Sequence, residues 1–287
     1  MITNPFELTS PASPDTCVIF ASPHSGRDYG SGFLARTTLT KAEIRSSEDA
    51  YVDQLFADAP DFGAPLLTAR APRAYIDLNR AATELDPALI EGIHRVAPNP
   101  RIASGLGVVP RVVANGRAIY MGKVSLEEAQ DRIERVWRPY HDRLQSLLDA
   151  NLARFERAIL VDCHSMPHEA IARAIPAGDD RPEVVLGDRF GASASARVMD
   201  RVESAFSNAG FRVARNVPFA GAYIARHYGR PSRKQHVVQI ELDRSLYMDE
   251  GTLTKHIGFD DIQARLRGVI ADIADFGRAT QDEIAAE

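Results

Sequence analysis

Two histidines occupy matching places in this sequence, each at the end of an apolar, strand-like run. Residues 18–21 (VIFA) lead into His24, and residues 158–161 (AILV) lead into His164. Ligands of open α/β sheets bind at the carboxyl ends of the strands, so two imidazoles delivered there are placed to share a metal ion or a substrate. One such histidine alone is more typical of a buried, hydrogen-bonded side chain, and the repetition is what favours function.

Acidic residues are the natural complement of two imidazoles. Catalytic zinc is usually bound by imidazole nitrogens and a carboxylate, with one position left for water. Glu48 and Asp49 are the nearest acids after the first histidine, at the front of an apolar, helix-like stretch. Their other interpretation is structural, because Ser47 would cap a helix whose positive end favours acids. Local sequence alone leaves both interpretations open.

A further carboxylate lies within a later strand-like run, residues 237–243. Alternation puts Gln239, Glu241 and Asp243 on one face of this strand and apolar residues on the other. A carboxylate on an inner strand is costly unless it is paired or used, whereas an edge strand would leave the polar face in water. The run therefore indicates either a catalytic acid or a solvated edge strand.

Residues 77–80 (DLNR) offer a means of holding a substrate. The planar guanidinium of Arg80, next to the amide of Asn79, suits a carboxylate that accepts two parallel hydrogen bonds. A surface ion pair is the alternative role for Arg80.

Strand-like and helical stretches alternate along the chain, which indicates an α/β fold. Strands are predicted near residues 17–21, 65–68, 74–77, 158–161 and 236–244. Helices are predicted at residues 41–59, 126–155, 192–209 and from residue 260 onward, the second with a kink at Pro139. No internal repeat or linker is visible, so one domain spanning residues 1–287 is expected.

Composition excludes several functional classes. The net charge of −5 comes from 39 acidic and 34 basic residues without a block of like charge, so neither nucleic acid nor a membrane surface is an expected partner. No apolar run approaches the ~20 residues that span a bilayer, and the N-terminus lacks the pattern of a secretory signal, which predicts a cytoplasmic protein. Cys17 and Cys163 lie in or beside strand-like runs and are expected to act as small hydrophobic residues.

Five segments in a fixed order give the chain a family resemblance. They are residues 22–26 (SPHSG), 77–80 (DLNR), 162–165 (DCHS), 226–229 (RHYG) and 239–242 (QIEL). Together they resemble the N-formylglutamate amidohydrolase family over most of the chain. That family is similar to the zinc carboxypeptidases, so the resemblance implies a zinc-carboxypeptidase-like (phosphorylase/hydrolase-like) fold with a mixed sheet flanked by helices.

The resemblance implies one zinc ion per chain, bound by His24 and His164. Zinc carboxypeptidases place a glutamate ligand three residues after the first histidine, and here that position is Arg27. The missing ligand must therefore come from elsewhere. Alignment of the following helix with the family favours Asp49, with Glu48 as the second choice.

The remaining motif residues are implied to bind substrate or to act on it. Asp77 would orient His24, Asn79 and Arg80 would hold a substrate carboxylate, and Glu241 would be the general base. A later loop would add two substrate-binding residues, Arg226 and His227. Arg226 would also stabilise the oxyanion.

Together these roles imply metal-assisted hydrolysis of a linear amide, most directly of N-formyl-L-glutamate to formate and glutamate. The substrate is thus expected to be a small molecule that carries a carboxylate. A carboxypeptidase-like or aminoacylase-like hydrolase of another N-acyl amino acid or small peptide is the alternative, followed by a non-catalytic zinc-binding or ligand-binding module. A serine nucleophile is disfavoured because Ser25 and Ser165 directly follow the histidines, and adjacent residues at a strand end point to opposite sides.

Overall fold

A seven-stranded sheet forms the framework of the protein. The computed structural model describes residues 4–93, 99–174 and 181–278, without the side chain of Asn115. The sheet strands are β1 (Phe6–Thr9), β2 (Val18–Ser22), β3 (Leu66–Ala69), β4 (Ala158–Met166), β5 (Val184–Gly187), β6 (Val213–Arg215) and β7 (Gln235–Asp243). Their order across the sheet is β1-β3-β2-β4-β7-β5-β6. Two short strands, β8 (Met248–Asp249) and β9 (Thr254–Lys255), pair with each other.

Parallel pairing of β2, β4 and β7 brings the motif-bearing strands side by side. The register sets Ala21 beside Asp162 and His164 beside Glu241. β5 runs antiparallel to β7, and β6 runs parallel to β5. Each residue of β2, β4 and β7 is buried, as expected for strands that are covered on both faces. The prediction of an α/β fold with a mixed sheet is confirmed.

The structure excludes a solvated edge strand at residues 237–243. β7 lies between β4 and β5 in the sheet. The exposed fractions of Gln239, Glu241 and Asp243 are 3%, 8% and 5%. Three polar side chains on an inner strand require polar partners, because burial without hydrogen bonds is unfavourable.

Helices flank the sheet and connect its strands. They are α1 (Ser31–Leu34), α2 (Lys41–Arg45), α3 (Val52–Leu55), α4 (Pro100–Ala103), α5 (Leu126–Arg132), α6 (Arg138–Phe155), α7 (His168–Ala174), α8 (Ala196–Asn208), α9 (Tyr223–Tyr228) and α10 (Phe259–Gly277). The helices predicted at 192–209 and from residue 260 correspond to α8 and α10. Both bury an apolar stripe, the amphipathic pattern from which they were predicted.

The continuous helix predicted over residues 41–59 is wrong. α2 and α3 are separated by residues 46–51, in which Tyr51 has a φ of 67°. Within this interruption the N–H of Asp49 donates to the carbonyl oxygen of His24 at 3.0 Å. The helix is thus interrupted where the backbone of Asp49 bonds to the loop that carries His24.

The strand predicted near residues 74–77 is also wrong, because this segment forms a turn. The N–H groups of Tyr75 and Ile76 both donate to the carbonyl oxygen of Pro72, at 2.9 and 3.2 Å. A short apolar run does not by itself distinguish a strand from a buried turn, and a nearby proline favours the turn.

The long helix predicted over residues 126–155 is present as α5 and α6, joined by a π-helical turn at Ile133–Trp137. The irregular turn immediately precedes Pro139. Proline has no N–H to donate, and its ring clashes with the carbonyl group four residues earlier, so the distortion predicted at Pro139 lies in the turn before it.

The described residues form two compact units. One contains residues 4–7, 23–50 and 68–145, and the other contains residues 8–22, 51–67 and 146–278. The single-domain organisation stays a prediction. In the described ranges, no helix is sufficiently long and apolar to cross a membrane.

Candidate metal and catalytic site

Three buried residues bring potential metal ligands together within the described ranges. One ligand atom from each of His24, Asp49 and His164 lies within 4.8 Å of the other two. The exposed fractions of these residues are 2%, 1% and 2%. Imidazole nitrogens with a carboxylate oxygen are typical ligands of divalent metals, so this cluster is compatible with a metal site.

The imidazole of His24 has a carboxylate beside each ring nitrogen. Its Nε2 lies 2.8 Å from Oδ1 of Asp77, and its Nδ1 lies 3.4 Å from Oδ2 of Asp49. If Nε2 carries the hydrogen donated to Asp77, Nδ1 keeps its lone pair. His24 is therefore oriented to bind a metal through Nδ1, on the side of Asp49.

The loop that carries His24 requires glycine at position 26. A Cβ atom on Gly26 would lie 2.1 Å from the carbonyl oxygen of Ala71, and a backbone atom cannot move aside as a flexible side chain can. The N–H of Asp28 also donates to the carbonyl oxygen of Arg70 at 3.0 Å. This close approach of two backbones sets the course of the loop.

Asp77 is a buried carboxylate with several partners. Besides contacting His24, its Oδ1 accepts the N–H of Asn79 at 2.8 Å, and its Oδ2 lies 3.1 Å from Nε of Arg73. Burial alone would raise its pKa, but the imidazole of His24 and the nearby charges of Arg73 and Arg80 hold the pKa well below its usual range. The carboxylate is thus ionised and able to orient the imidazole.

Glu48, the second choice for the third ligand, is engaged in a different interaction. Both of its carboxylate oxygens accept hydrogen bonds from Arg45, at 2.9 to 3.1 Å, and Oε1 also accepts the hydroxyl of Tyr29 at 2.6 Å. The structure groups Asp49, rather than Glu48, with the two histidines.

His164 lies within β4, where strand pairing sets it beside Glu241 of β7. Its Nε2 is 3.1 Å from Oδ1 of Asp162, two residues earlier on the same strand face. Cys163 lies between them in sequence. Burial and the charge of Asp162 raise the pKa of the Cys163 thiol well above its usual range, so it stays protonated.

Glu241 is held by a residue that was not assigned a role from the sequence. The Nε2 of Gln239 donates to Oε1 of Glu241 at 2.9 Å, and its Oε1 accepts the N–H of Ala222 at 3.0 Å. Because the Ala222 N–H needs an acceptor, this second bond fixes which end of the amide faces the glutamate. The alternating polar residues of β7 were the sequence signal for this pair.

Arg80 retains a donor group for a ligand. Its Nε donates to the carbonyl oxygen of Leu106 at 3.0 Å and its Nη1 to that of Asn79 at 2.8 Å. Within the described ranges, its Nη2 donates no hydrogen bond. The side chain is 5% exposed, and this burial lowers its pKa from the usual value. The guanidinium is nevertheless charged at neutral pH, because that pKa starts far above 7.

The long helical segment anchors the backbone of residues 78–80. His141 of α6 contacts the carbonyl oxygen of Leu78 through Nε2 at 2.9 Å. Nε1 of Trp137 donates to the carbonyl oxygen of Arg80 at the same distance, 2.9 Å. Two rings one helical turn apart therefore hold the segment that carries Asn79 and Arg80.

Arg226 and His227 lie on the helix α9 and not in the predicted loop, and their side chains are exposed. The His227 ring stacks on Tyr223, with centroids 5.0 Å apart. Partial burial and the charges of Arg230 and Arg226 lower the pKa of His227, so the imidazole is neutral at pH 7. Ala222, whose N–H bonds to Gln239, is the N-cap residue of this helix.

The fold and the cluster define an α/β protein with a buried His/Asp/His cluster that is compatible with a metal site, and with a buried glutamate beside one of its histidines. The model of the N-formylglutamate amidohydrolase family matches residues 16–248. The chain belongs to this family, which confirms the resemblance found in the sequence motifs.

Curated relatives and a solved structure agree with this assignment. An N-formylglutamate deformylase of Pseudomonas putida is 31% identical over 240 residues, which cover 81% of this chain and 82% of the relative. One from Pseudomonas aeruginosa is 30% identical with the same coverage. The crystal structure of N-formylglutamate amidohydrolase from Ralstonia eutropha has a TM-score of 0.89 and 35% identity, and the match covers 96% of this chain and 98% of that one.

A more distant likeness extends to the fold alone. The crystal structure of a gene product from Agrobacterium tumefaciens matches with a TM-score of 0.61 and 17% identity, over 95% of both chains.

Proposed function

We propose that this protein is a zinc-dependent amidohydrolase that converts N-formyl-L-glutamate and water to formate and L-glutamate. The names of the relatives support the substrate and the reaction. The observation that carries the proposal in this chain is the buried cluster of His24, Asp49 and His164.

The donor types of this cluster and the distance between two of its donor atoms support zinc as the metal. Two ligand atoms on a tetrahedral zinc, each at 2.0–2.2 Å from the ion, lie about 3.4 Å apart. Nδ1 of His24 and Oδ2 of Asp49 are 3.4 Å apart. One zinc ion per chain would supply a Lewis acid that activates water at neutral pH and polarises the formyl carbonyl group.

Glu241 is proposed as the general base. It would take the proton of the attacking water and deliver it to the nitrogen of the leaving amine, so that glutamate departs as an amine. The hydrogen bond from Gln239 to Oε1 orients the Glu241 carboxylate for this proton transfer. Arg226 is proposed to add positive charge near the developing oxyanion.

Asn79 and Arg80 are proposed to hold a carboxylate of the substrate, with His227 and Arg226 as further substrate contacts. The Nη2 group of Arg80 is the donor whose availability supports this role. A charged hydrogen bond from a buried guanidinium is stronger than one in water, because the local dielectric constant is lower.

A screen of N-acyl amino acids for release of free amine tests the proposal. Metal-replete protein should act on N-formylglutamate in preference to N-acetylglutamate and N-formylleucine, and a chelator should abolish turnover until zinc is restored. Cleavage of a peptide or a longer N-acyl substrate with no action on N-formylglutamate would favour the aminoacylase-like or carboxypeptidase-like alternative. Turnover that is indifferent to chelation would exclude the metal mechanism.

A further inference from the structure

Asp162 is a carboxylate at the centre of the sheet that the proposed mechanism does not use. It lies on β4, beside Ala21 of β2 and Gln239 of β7 in the strand register. The residue is 0% exposed. Water therefore does not solvate this acid in the folded protein.

The partners of Asp162 are unusually few for a buried acid. Neither carboxylate oxygen forms a hydrogen bond within the described ranges, and among those residues it pairs with no lysine or arginine. The imidazole of His164 lies close to it, with Nε2 3.1 Å from Oδ1, but this contact does not have the geometry of a hydrogen bond. A buried carboxylate with so little compensation destabilises the fold on its own.

A cation on the far side of the His164 ring would supply the missing compensation. A metal bound at Nδ1 withdraws electron density from the imidazole and makes the hydrogen on Nε2 a stronger donor. A small rotation of the ring would then turn a 3.1 Å approach into a charge-assisted hydrogen bond. Asp162 and His164 occupy one strand face, so this arrangement requires no change in the backbone.

We propose that Asp162 is a positioning residue of the metal centre: it holds His164 with Nδ1 toward the metal and offsets part of the metal's charge. The inference rests on the proposed metal-dependent function. It makes a prediction that the proposed function does not make: Asp162 should destabilise the metal-free protein and stabilise the metal-bound protein.

The variant Asp162→Asn removes the charge and nearly preserves the volume. Zinc affinity, measured by competition with a chromophoric chelator, should fall by 10- to 100-fold, as is usual when such a partner of a metal-binding histidine is lost. The Tm of the metal-free variant should equal or exceed that of the metal-free wild type. Asp188→Asn is the matched control, since Asp188 is also buried but bonds to Asn216, and it should leave zinc affinity unchanged.

Two outcomes of this experiment would overturn the inference. One is a zinc affinity of Asp162→Asn within threefold of the wild type, and the other is a lower Tm of the metal-free variant, which would mark Asp162 as a structural residue. Failure of the wild type itself to bind zinc would instead refute the proposed function, so the two failures are distinguishable.

A measurement on the wild type keeps the inference testable if the variant does not fold. In the ¹⁵N NMR spectrum of the zinc-loaded protein, His164 should show zinc coordination at Nδ1 and a retained hydrogen on Nε2. Coordination through Nε2 would overturn the inference.

Discussion

The two histidines of the cluster have contrasting electrostatic surroundings. We define the His24 region as His24 with residues 73–80. In this region the carboxylate of Asp77, beside the imidazole, is compensated by Arg73 and by the backbone N–H of Asn79. In the His164 region, defined as His164 with Asp162, Gln239 and Glu241, the carboxylate beside the imidazole has no such partner within the described ranges.

This difference indicates that the two regions contribute differently to the site. The His24 region is electrostatically complete without a metal and includes Arg80, a positively charged group for binding a substrate anion. The His164 region contains two buried carboxyl side chains, of Asp162 and of the proposed general base Glu241, and that of Asp162 has no hydrogen-bond partner within the described ranges. Loss of the carboxylate beside either histidine should weaken metal binding. We expect only variants of the first region also to destabilise the metal-free protein and change substrate preference, and only variants of the second to remove the general base.

The largest effect is expected from Glu241→Gln. This change removes the base but keeps the shape, so kcat should fall by ~10²–10⁴, the usual contribution of a positioned general base. Zinc content, measured by atomic absorption, should match that of the wild type. Asp243→Asn, on the same strand face but bonded to His168, is the control and should retain nearly full turnover. Near-normal turnover of Glu241→Gln would remove Glu241 from the mechanism.

A smaller effect, on substrate choice, is expected from Arg80→Ala. Loss of hydrogen bonds between charged groups, worth about 1.5–3 kcal/mol, should lower kcat/KM for N-formylglutamate by roughly 10- to 100-fold. Analogues with the α- or the γ-carboxylate converted to an amide show which carboxylate is bound, because the variant should lose little on the analogue that lacks the bound group. Arg80→Lys should recover only part of the loss, since a lysine ammonium cannot keep the bonds to the carbonyl oxygens of Leu106 and Asn79 that orient the guanidinium. An unchanged preference among the three substrates would contradict the assignment.

The smallest effect is expected from Asp77→Asn, the same chemical change as Asp162→Asn made in the other region. Here the carboxylate is compensated, so its loss should lower the free energy of unfolding of the metal-free protein by about 1–3 kcal/mol. Urea denaturation of the two metal-free variants gives the direct comparison. A change of the same sign in the free energy of unfolding of metal-free Asp77→Asn and Asp162→Asn would contradict the difference between the two regions.

Much of the framework could be predicted from the sequence because its strongest signals are local. The apolar runs of β2, β4 and β7 and the periodicity of the long helix each reflect burial of one element. Strand ends that carry histidines indicated where chemistry would lie, since parallel strands deliver their carboxyl ends to one edge. The predictions for residues 41–59 and 74–77 were wrong because the conformation of these segments depends on contacts with other parts of the chain.

The site could be predicted only where a residue type is itself distinctive. His24, His164 and Glu241 stand out in apolar surroundings, whereas Gln239 and Asp162 are ordinary residues on polar strand positions. Their importance depends on which neighbour each one meets and on what compensates a buried charge. Those quantities are set by strand register and side-chain packing, which the sequence does not state.

One consequence follows from the hydrogen bond between the ring of Trp137 and the carbonyl group of Arg80. Trp137 is the single tryptophan of the chain. Its indole therefore acts as a native fluorophore attached to the segment that we propose to capture the substrate anion. Ligand capture can be followed from the emission of the unlabelled protein, separately from any step of catalysis.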